Sequence, residues 1–179
     1  MGTLELNFSV NIKDFREATY YALFMQKRNF FRVAAVVIAA CFIYVVLAVN
    51  KVLAMEPIFF FLAGAYLIWV LVVLAGAERQ IRAYVKSPQN LLGAKYTAKF
   101  GQRLVSFEIP EKKFKVSGNL ADVPAAFELT NIFLVYATQE QTFIIPTRDL
   151  SKGEIKQLRE ILRSGIGERF YSMFDRKKR

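Results

Sequence analysis

Two long hydrophobic segments, residues 33–50 and 57–77, contain no ionisable residue and are separated by residues 51–56. As α-helices they would be about 27 and 31 Å long, which matches the hydrocarbon core of a bilayer. Both segments are apolar on every face, whereas a helix in the core of a water-soluble protein carries a polar stripe. The pattern therefore predicts a transmembrane hairpin rather than a pair of soluble core helices.

The residues before the first hydrophobic segment alternate between apolar and polar side chains at positions 4–10, which is the period of a half-buried strand. Because the hairpin returns the chain to the same side of the membrane, we expect this strand to pair with the sheet predicted after residue 94. Apolar and aromatic residues at positions 14–32 follow a helical spacing. They predict a helix that approaches the membrane surface and runs into the first span.

The segment after the second span predicts a helical extension at residues 78–85. Ser87 before Pro88 marks its end, since a residue before proline avoids helical geometry. Residues 88–93 form a predicted linker, and from there the hydrophobic period becomes two, with turn residues between the apolar runs. The predicted strands are residues 95–100, 104–109, 113–117, 122–130 with a break near Pro124, 133–138 and 142–145.

The last predicted helix has signals at both ends. Ser151 followed by Glu154 makes a capping box, and Gly165 can close the helix. One apolar face should lie against the sheet. It consists of Ile155, Leu158, Ile161 and Leu162.

Aromatic residues between positions 170 and 174 precede the sequence D-R-K-K-R at residues 175–179. Aromatic residues followed by a basic cluster can anchor a segment at a lipid surface. A final turn packed on the domain, followed by a solvated end, explains the same pattern. Both interpretations stay open at this point.

The fold class predicted from these elements is membrane α+β. Residues 1–32 supply a strand and a juxtamembrane helix, residues 33–77 the hairpin, residues 78–94 a second juxtamembrane helix and a linker, and residues 95–179 a small cytoplasmic domain. Six strands, the strand at residues 4–10 and a closing amphipathic helix match the element count of a pleckstrin-homology (PH)-like barrel. A generic α+β sandwich would give the same element order.

Charge placement predicts the orientation, because basic residues at the ends of membrane helices remain in the cytoplasm. Three basic residues precede the first span and three follow the second, against a single acidic one, while the connecting segment holds one Lys and one Glu. Both termini are therefore expected in the cytoplasm of a multi-pass protein, without a cleavable signal peptide. The lack of extracellular cysteines fits a bacterial inner membrane.

The net charge of +10 predicts contact with anionic lipid headgroups or an acidic protein partner. A recognisable nucleic-acid-binding motif is missing, so nucleic acid is not expected. Lysines that alternate with apolar residues on predicted strands are the candidate contacts, although a solvated outer face would look the same. These candidates are Lys95, Lys99, Lys113 and Lys115, of which Lys113 and Lys115 are expected on one face of a strand, together with the adjacent Lys112.

Small residues in the spans, Ala35, Ala39 and Gly64, predict close helix packing. This packing could close the hairpin on itself or form the face of a homo-oligomer. The spans offer no ionisable group that could carry an ion or a proton, so transport is not expected.

Residue types argue against catalysis and against a cofactor. The chain has no histidine, and its only cysteine, Cys41, lies in the middle of a predicted span. Phosphate-binding glycine motifs are missing as well. Asp122, Glu128 and Asp149 could form a paired-carboxylate site in principle, but turn and strand-end positions explain them better.

The segment F-I-I-P-T-R-D-L at residues 143–150, followed by the capped helix, resembles the YcxB-like family of small bacterial membrane proteins. Residues 120–123, 127–128 and 132–136 stand where the family has a W-x-x-I element, an acidic residue and an aromatic strand. Leu120 replaces the family's Trp, and Thr147 and Leu150 replace its Lys and Phe. The resemblance implies an amino-terminal strand, a two-helix hairpin and a carboxy-terminal domain, and it implies no reaction.

These observations favour a non-catalytic inner-membrane protein that presents a cytoplasmic domain for regulatory or scaffolding interactions. An immunity-type protein that shields the membrane from a toxin, and an auxiliary subunit of a transporter, are the alternatives. The sequence does not identify the protein partner or the oligomeric state.

Overall fold

The computed structural model describes residues 3–26, 28–50, 57–101, 103–137 and 141–174. The chain forms two compact units, and the first is built from both ends of the sequence. We call Met1–Ala18 together with Gln89–Arg179 the β-rich unit, and Thr19–Pro88 the helical unit. The architecture is α+β, with long apolar helices and two small sheets.

The helices of the first half are α1 (Ile12–Gln26), α2 (Arg28–Val49) and α3 (Pro57–Lys86). Helix α1 begins in the β-rich unit and ends in the helical unit. The predicted continuation from α1 into the first span crosses Lys27, which lies outside the described residues, as does the connecting segment 51–56. The extension of α3 and its end before Ser87 are confirmed.

Helices α2 and α3 are long and apolar enough to cross a membrane. Their most apolar 18-residue windows have only 6% and 0% of residues buried. Phe61 on α3 is 77% exposed and Val36 on α2 is 67% exposed. The Tyr44 ring of α2 lies 4.5 Å from the Phe59 ring of α3, so the two helices contact each other inside the helical unit.

Eight strands form two four-stranded sheets among the described residues of the β-rich unit. Sheet A has the order β1-β2-β3-β4, and all its neighbours are antiparallel. Its strands are β1 (Leu4–Ser9), β2 (Lys95–Phe100), β3 (Leu104–Ile109) and β4 (Phe114–Asn119).

Sheet B has the order β7-β6-β5-β8, in which β8 is parallel to β5 and the other pairs are antiparallel. Its strands are β5 (Ala125–Glu128), β6 (Ile132–Tyr136), β7 (Thr142–Pro146) and β8 (Phe170–Ser172). Helix α4 (Lys152–Ile166) connects β7 to β8 through a short 3-10 turn.

The pairing of β1 with β2 confirms that one sheet is built from both ends of the chain. Leu4 lies opposite Phe100 and Ser9 opposite Lys95, across about ninety intervening residues. The alternation in β1 buries its apolar side chains and exposes the polar ones, as the period of two predicts. The backbone N–H of Gly93 donates to the Val10 carbonyl at 2.9 Å. The segment that follows β1 and the segment that precedes β2 are therefore hydrogen-bonded to each other.

The core lies between the sheets and under α4. The rings of Phe107 on sheet A and Phe143 on sheet B are stacked with centroids 3.9 Å apart. Leu158 and Leu162 of α4 are fully buried in the same core. The capping box of α4 is confirmed, because the Ser151 side chain accepts from the Glu154 backbone and the Glu154 side chain accepts from the Ser151 backbone.

The prediction that Gly165 ends α4 is wrong. The helix continues to Ile166, and Gly167 caps it with a φ of +58°, a conformation that favours glycine. Gly165 instead lets α4 approach the core, because a Cβ there would lie 2.2 Å from Leu120 Cδ2.

Several strand bounds also differ from the prediction. The predicted strand 122–130 is a 3-10 turn (Leu120–Asp122) followed by the shorter β5, because Pro124 cannot donate to a ladder and Leu129 turns into β6. Strand β8 was not predicted. Its three residues are too few for a periodic signal, and pairing with β5 defines it.

Candidate functional site

The candidate lysines on strands lie on the outer face of sheet A. Lys95, Lys99 and Lys115 are exposed, while their neighbours along β2 and β4 point towards the core. Lys99 Nζ is 3.1 Å from Glu5 Oε2, and Lys115 Nζ is 3.8 Å from Glu108 Oε2. Cross-strand carboxylates therefore offset two of these three positive charges.

The other two candidate lysines lie in the connection between β3 and β4. Lys112 ends the 3-10 turn Pro110–Lys112, and Lys113 follows it with a left-handed φ of +50°. The prediction that Lys113 and Lys115 share one face of a strand is therefore wrong, because β4 begins only at Phe114. Three of the five lysines thus lie on the outer face of sheet A, and two lie in the β3–β4 connection.

The small residues predicted to pack the hairpin differ in their surroundings. Ala35 and Ala39 are exposed, and the neighbouring Ala34 is buried instead. A Cβ added at Gly64 would meet no atom within 4 Å outside its own helix. A contact between copies of the chain through these residues stays a prediction.

The structure shows a polar cluster that the sequence did not reveal, and we call it the Arg148 cluster. It consists of Ser9, Asn11, Asp14, Arg148 and Asp149. Arg148 and Asp149 belong to the 3-10 turn that follows β7, and the other three residues come from the end of β1 and the start of α1.

Arg148 holds the β1–α1 junction from two sides. Its guanidinium donates to Asp14 Oδ1 and, at 2.6 Å, to the Ser9 carbonyl, and Asp149 Oδ1 lies 3.3 Å from its Nε. The hydrogen bond to Asp14 raises the pKa of Arg148. Asp149 Oδ2 in turn accepts from the Ser9 N–H at 3.1 Å.

An open polar cavity of about 500 Å³ adjoins this cluster. Its lining carries two cations and two carboxylates, and Asn131 donates to Glu17 Oε2 at 3.1 Å across it. The lining residues are Asn11, Lys13, Asp14, Glu17, Asn131, Thr147 and Arg148. Arg148 pairs with Asp14, and Asn131 donates to Glu17, so the contacts around this cavity hold α1 against the end of sheet B.

A second buried ion pair connects sheet B to α4. Glu128 is only 1% exposed, and Arg159 forms a bidentate salt bridge with it. Arg159 Nε lies 2.8 Å from Glu128 Oε2, and the Arg159 terminal nitrogen donates to Glu128 Oε1. A buried carboxylate requires such a partner, because an unpaired charge in the core costs several kcal/mol. The inward-facing acid at the end of a short strand was the available signal for this pair, and sequence reasoning did not use it.

The three carboxylates considered for catalysis do not form a site. Asp122 lies in an exposed 3-10 turn, Glu128 ends β5, and Asp149 ends the turn after β7. Glu128 and Asp149 are each engaged by an arginine. Among the described residues, no group of His, Cys, Asp or Glu could hold a metal ion.

Tyr171, Met173 and Phe174 are exposed beside sheet B, and the half-buried rings of Phe127 and Tyr136 adjoin them. We call these five residues the aromatic surface. The Tyr171 ring stacks on Phe127 with centroids 5.1 Å apart. Tyr136 meets the other side of Phe127 edge-on at 5.8 Å, and burial raises the pKa of Tyr136. Residues 175–179 lie outside the described residues.

Comparisons with protein-family models, with curated proteins and with solved structures give no match for this chain. The similarity to the YcxB-like family therefore stays a prediction from the residues quoted above.

Proposed function

We propose that this chain is a bacterial inner-membrane protein in which α2 and α3 anchor the β-rich unit on the cytoplasmic side. The observation that carries this proposal is the exposure of apolar side chains around both helices. In water, burying such side chains is worth about 1.5–3 kcal/mol each, so a soluble protein would cover them. In a bilayer the lipid covers them.

We further propose that the β-rich unit is a PH-like domain. Two small, mostly antiparallel sheets enclose its core, and α4 covers one end through Leu158 and Leu162. Strand β8, parallel to β5 after the helix, is an addition to the predicted seven-stranded arrangement. The role assigned to this domain is non-catalytic binding of a regulatory or scaffolding partner.

Two features support a binding role over an enzymatic one. The polar clusters at Arg148 and Arg159 connect elements of the fold, and their carboxylates are engaged by arginines. The surface of the unit instead exposes Tyr171, Met173 and Phe174, and aromatic residues and Met are enriched at protein–protein interfaces.

The membrane topology can be tested with single cysteines in a Cys41→Ser background. With both termini in the cytoplasm, Ala54→Cys should react with a membrane-impermeant maleimide on spheroplasts, and Ser117→Cys should react only after lysis. Labelling of Ser117→Cys on intact spheroplasts, or extraction of the protein from membranes at alkaline pH, would contradict the proposal.

The binding role can be tested by cross-linking in cells followed by purification in mild detergent. The matched control keeps residues 19–88 and lacks both sequence segments of the β-rich unit, because deleting residues 95–179 alone would leave β1 without its partner strand. A stoichiometric partner that is lost with the control supports the role. If the full chain and the control give the same cross-linked partners, the contacts belong to the hairpin, and the binding role of the β-rich unit is rejected.

A further inference from the structure

The two edge strands of sheet A differ in whether other groups cover them. At the end of β1, the Ser9 N–H donates to Asp149 Oδ2 and the Ser9 carbonyl accepts from Arg148. Strand β4 is the other edge, and no strand of the described residues pairs with its outer side. An uncovered edge strand presents backbone donors and acceptors with which another strand can pair.

The register of β4 shows which backbone groups face outward. Just after β4, the Leu120 N–H donates to the Arg103 carbonyl at 2.7 Å. Hydrogen-bonded and non-hydrogen-bonded pairs alternate along an antiparallel ladder, so the even-numbered residues of β4 bond to β3. The odd-numbered residues direct their N–H and C=O groups away from the sheet, and these are Lys115, Ser117 and Asn119.

A cavity of about 150 Å³ opens beside this edge on the inner face of sheet A, next to Val116 and Gly118. A Cβ added at Gly118 would meet no atom within 4 Å. An apolar cavity of about this volume can hold a benzene ring. Phe114, at the other end of β4 on the same face, is only half-buried. The strand therefore carries an aromatic ring at one end and a space for such a ring at the other. The apolar walls of the cavity are Val105, Phe107, Val116, Val123 and Ala137.

We infer that β4 pairs antiparallel with β4 of a second copy of this chain, with Val116 on the two-fold axis. In this register Phe114 of each copy lies opposite Gly118 of the other, beside the cavity. Val116 meets its own counterpart on the same face. An aromatic side chain opposite an edge glycine is one of the features that fix strand register.

Charge favours this register over its neighbour. An axis at Lys115 would place two ammonium groups directly opposite each other, which is destabilising. With the axis at Val116, Lys115 lies opposite Ser117 of the second copy. Its charge is offset within its own chain, because Lys115 Nζ is 3.8 Å from Glu108 Oε2.

The two ends of the β4 edge carry opposite charges. Lys112 and Lys113 are exposed before β4 and outnumber Glu111, while Asp122 is exposed in the turn after β4. Antiparallel pairing places the lysines of each copy beside Asp122 of the other. The edge is therefore complementary to itself in backbone groups, in shape and in charge.

The test is disulfide cross-linking of the full chain in cells with a membrane-permeant oxidant, in a Cys41→Ser background. Val116→Cys should give a cross-linked dimer, because a non-hydrogen-bonded pair on the axis has its Cα atoms about 4.5 Å apart. Ser117→Cys is the matched control, since its two copies would be diagonal neighbours about 7–8 Å apart. Absence of the Val116→Cys dimer, or a Ser117→Cys dimer of equal yield, would overturn the inference.

Filling the cavity from within the chain gives a second test. Gly118→Val should abolish the Val116→Cys cross-link, because its side chain occupies the space opposite Phe114 of the second copy. Its added Cβ meets no atom within 4 Å in the single chain, and valine favours strands, so near-ultraviolet circular dichroism should be unchanged. Ser117→Val, on the other face of β4, is the control and should keep the cross-link. An undiminished cross-link in Gly118→Val would contradict the proposed packing.

A charge swap tests the antiparallel direction. Lys113→Glu or Asp122→Lys alone should raise the dimer dissociation constant by about two- to fivefold, as light scattering in detergent measures it. The double variant should restore it. Failure of the double variant to recover would contradict the proposed direction.

The interface lies entirely in sheet A, so it is independent of the proposed membrane anchor, which the cysteine-labelling experiment tests separately. Dimers that persist unchanged in Gly118→Val and in Lys113→Glu would assign self-association to another surface and overturn the inference. A photo-cross-linker at Ser117 that captures a different protein, in a chain that stays monomeric, would assign the edge to that partner and overturn it as well.

Discussion

Helices α3 and α4 both carry many apolar side chains, but α4 buries them and α3 exposes them. Helix α4 places its apolar residues on one face, where Leu158 and Leu162 are fully buried, and exposes charged residues on the other. Helix α3 exposes apolar side chains around its first five turns, including Phe61, Leu62 and Ile68. A one-sided apolar face suits a helix in water and an all-round apolar surface suits a helix in lipid, so the difference is the one that the proposed membrane anchoring requires.

The largest expected effect concerns the ion pair that holds α4 to sheet B. Arg159→Ala leaves the Glu128 carboxylate buried without its partner, and we expect a loss of about 3–5 kcal/mol in the unfolding free energy of the β-rich unit. Urea denaturation in detergent, followed by near-ultraviolet circular dichroism, measures it. Arg163→Ala, one turn further along the same face, is the matched control. Its guanidinium is more exposed and lies 6.0 Å from the Phe170 ring centroid, and its removal leaves Arg159 on Glu128, so a smaller loss is expected. Equal losses for both variants would refute the role of the pair.

A charge on α3 tests the other side of the comparison. Ile68→Lys, near the middle of residues 57–77, should reduce membrane insertion by about 2.5–3.5 kcal/mol, because an ammonium group in the hydrocarbon core is costly. The matched change on α4, Lys156→Phe, adds an apolar group to its exposed face and should leave insertion unchanged. The fraction that resists alkaline extraction reports both. Unimpaired insertion of Ile68→Lys would indicate that this face of α3 is not in lipid.

The close approach of α4 to the core gives a smaller effect. Gly165→Ala places a methyl group against Leu120 and should cost about 1–3 kcal/mol through overpacking. Gly153→Ala, in the first turn of the same helix, is the control, since its added Cβ meets only the Ser151 hydroxyl oxygen at 3.9 Å. If Gly165→Ala is no less stable than Gly153→Ala, α4 can shift without loss.

The smallest effect is expected at the cap of α4. Ser151→Ala should cost about 0.5–2 kcal/mol by removing the side-chain acceptor for the Glu154 N–H. Hydrogen bonds with the Ser151 hydroxyl and backbone lower the pKa of Glu154, so the stabilisation from the charged cap is present above the unfolded-state pKa. It is lost as the pH falls through the lower folded-state value.

Acid titration of urea stability checks this sign. The difference between the unaltered chain and Ser151→Ala should shrink on acidification through the range in which Glu154 protonates. Glu154→Gln should flatten this part of the pH dependence. A difference that grows towards acidic pH would contradict the capping box.

Local sequence patterns predicted most helices and strands correctly. They did not predict the polar contacts between segments that are distant in the sequence. The alternation in β2 and β3 and the capping box at Ser151 lie within a few residues of sequence, so their bounds were predictable. The Arg148 cluster joins residues about 140 positions apart. Neither end of such a contact carries a local signal that identifies the other.

The amino-acid sequence alone determined the apolar length of α2 and α3, the strand period, and the distribution of charge outside the apolar segments. These properties depend on single residues and their near neighbours. Only the tertiary structure decided that β8 completes sheet B, that Glu128 is paired with Arg159, and that Lys99 and Lys115 have carboxylate neighbours. These features arise because folding brings distant segments together, and the cost of burying a group depends on which partner it then meets.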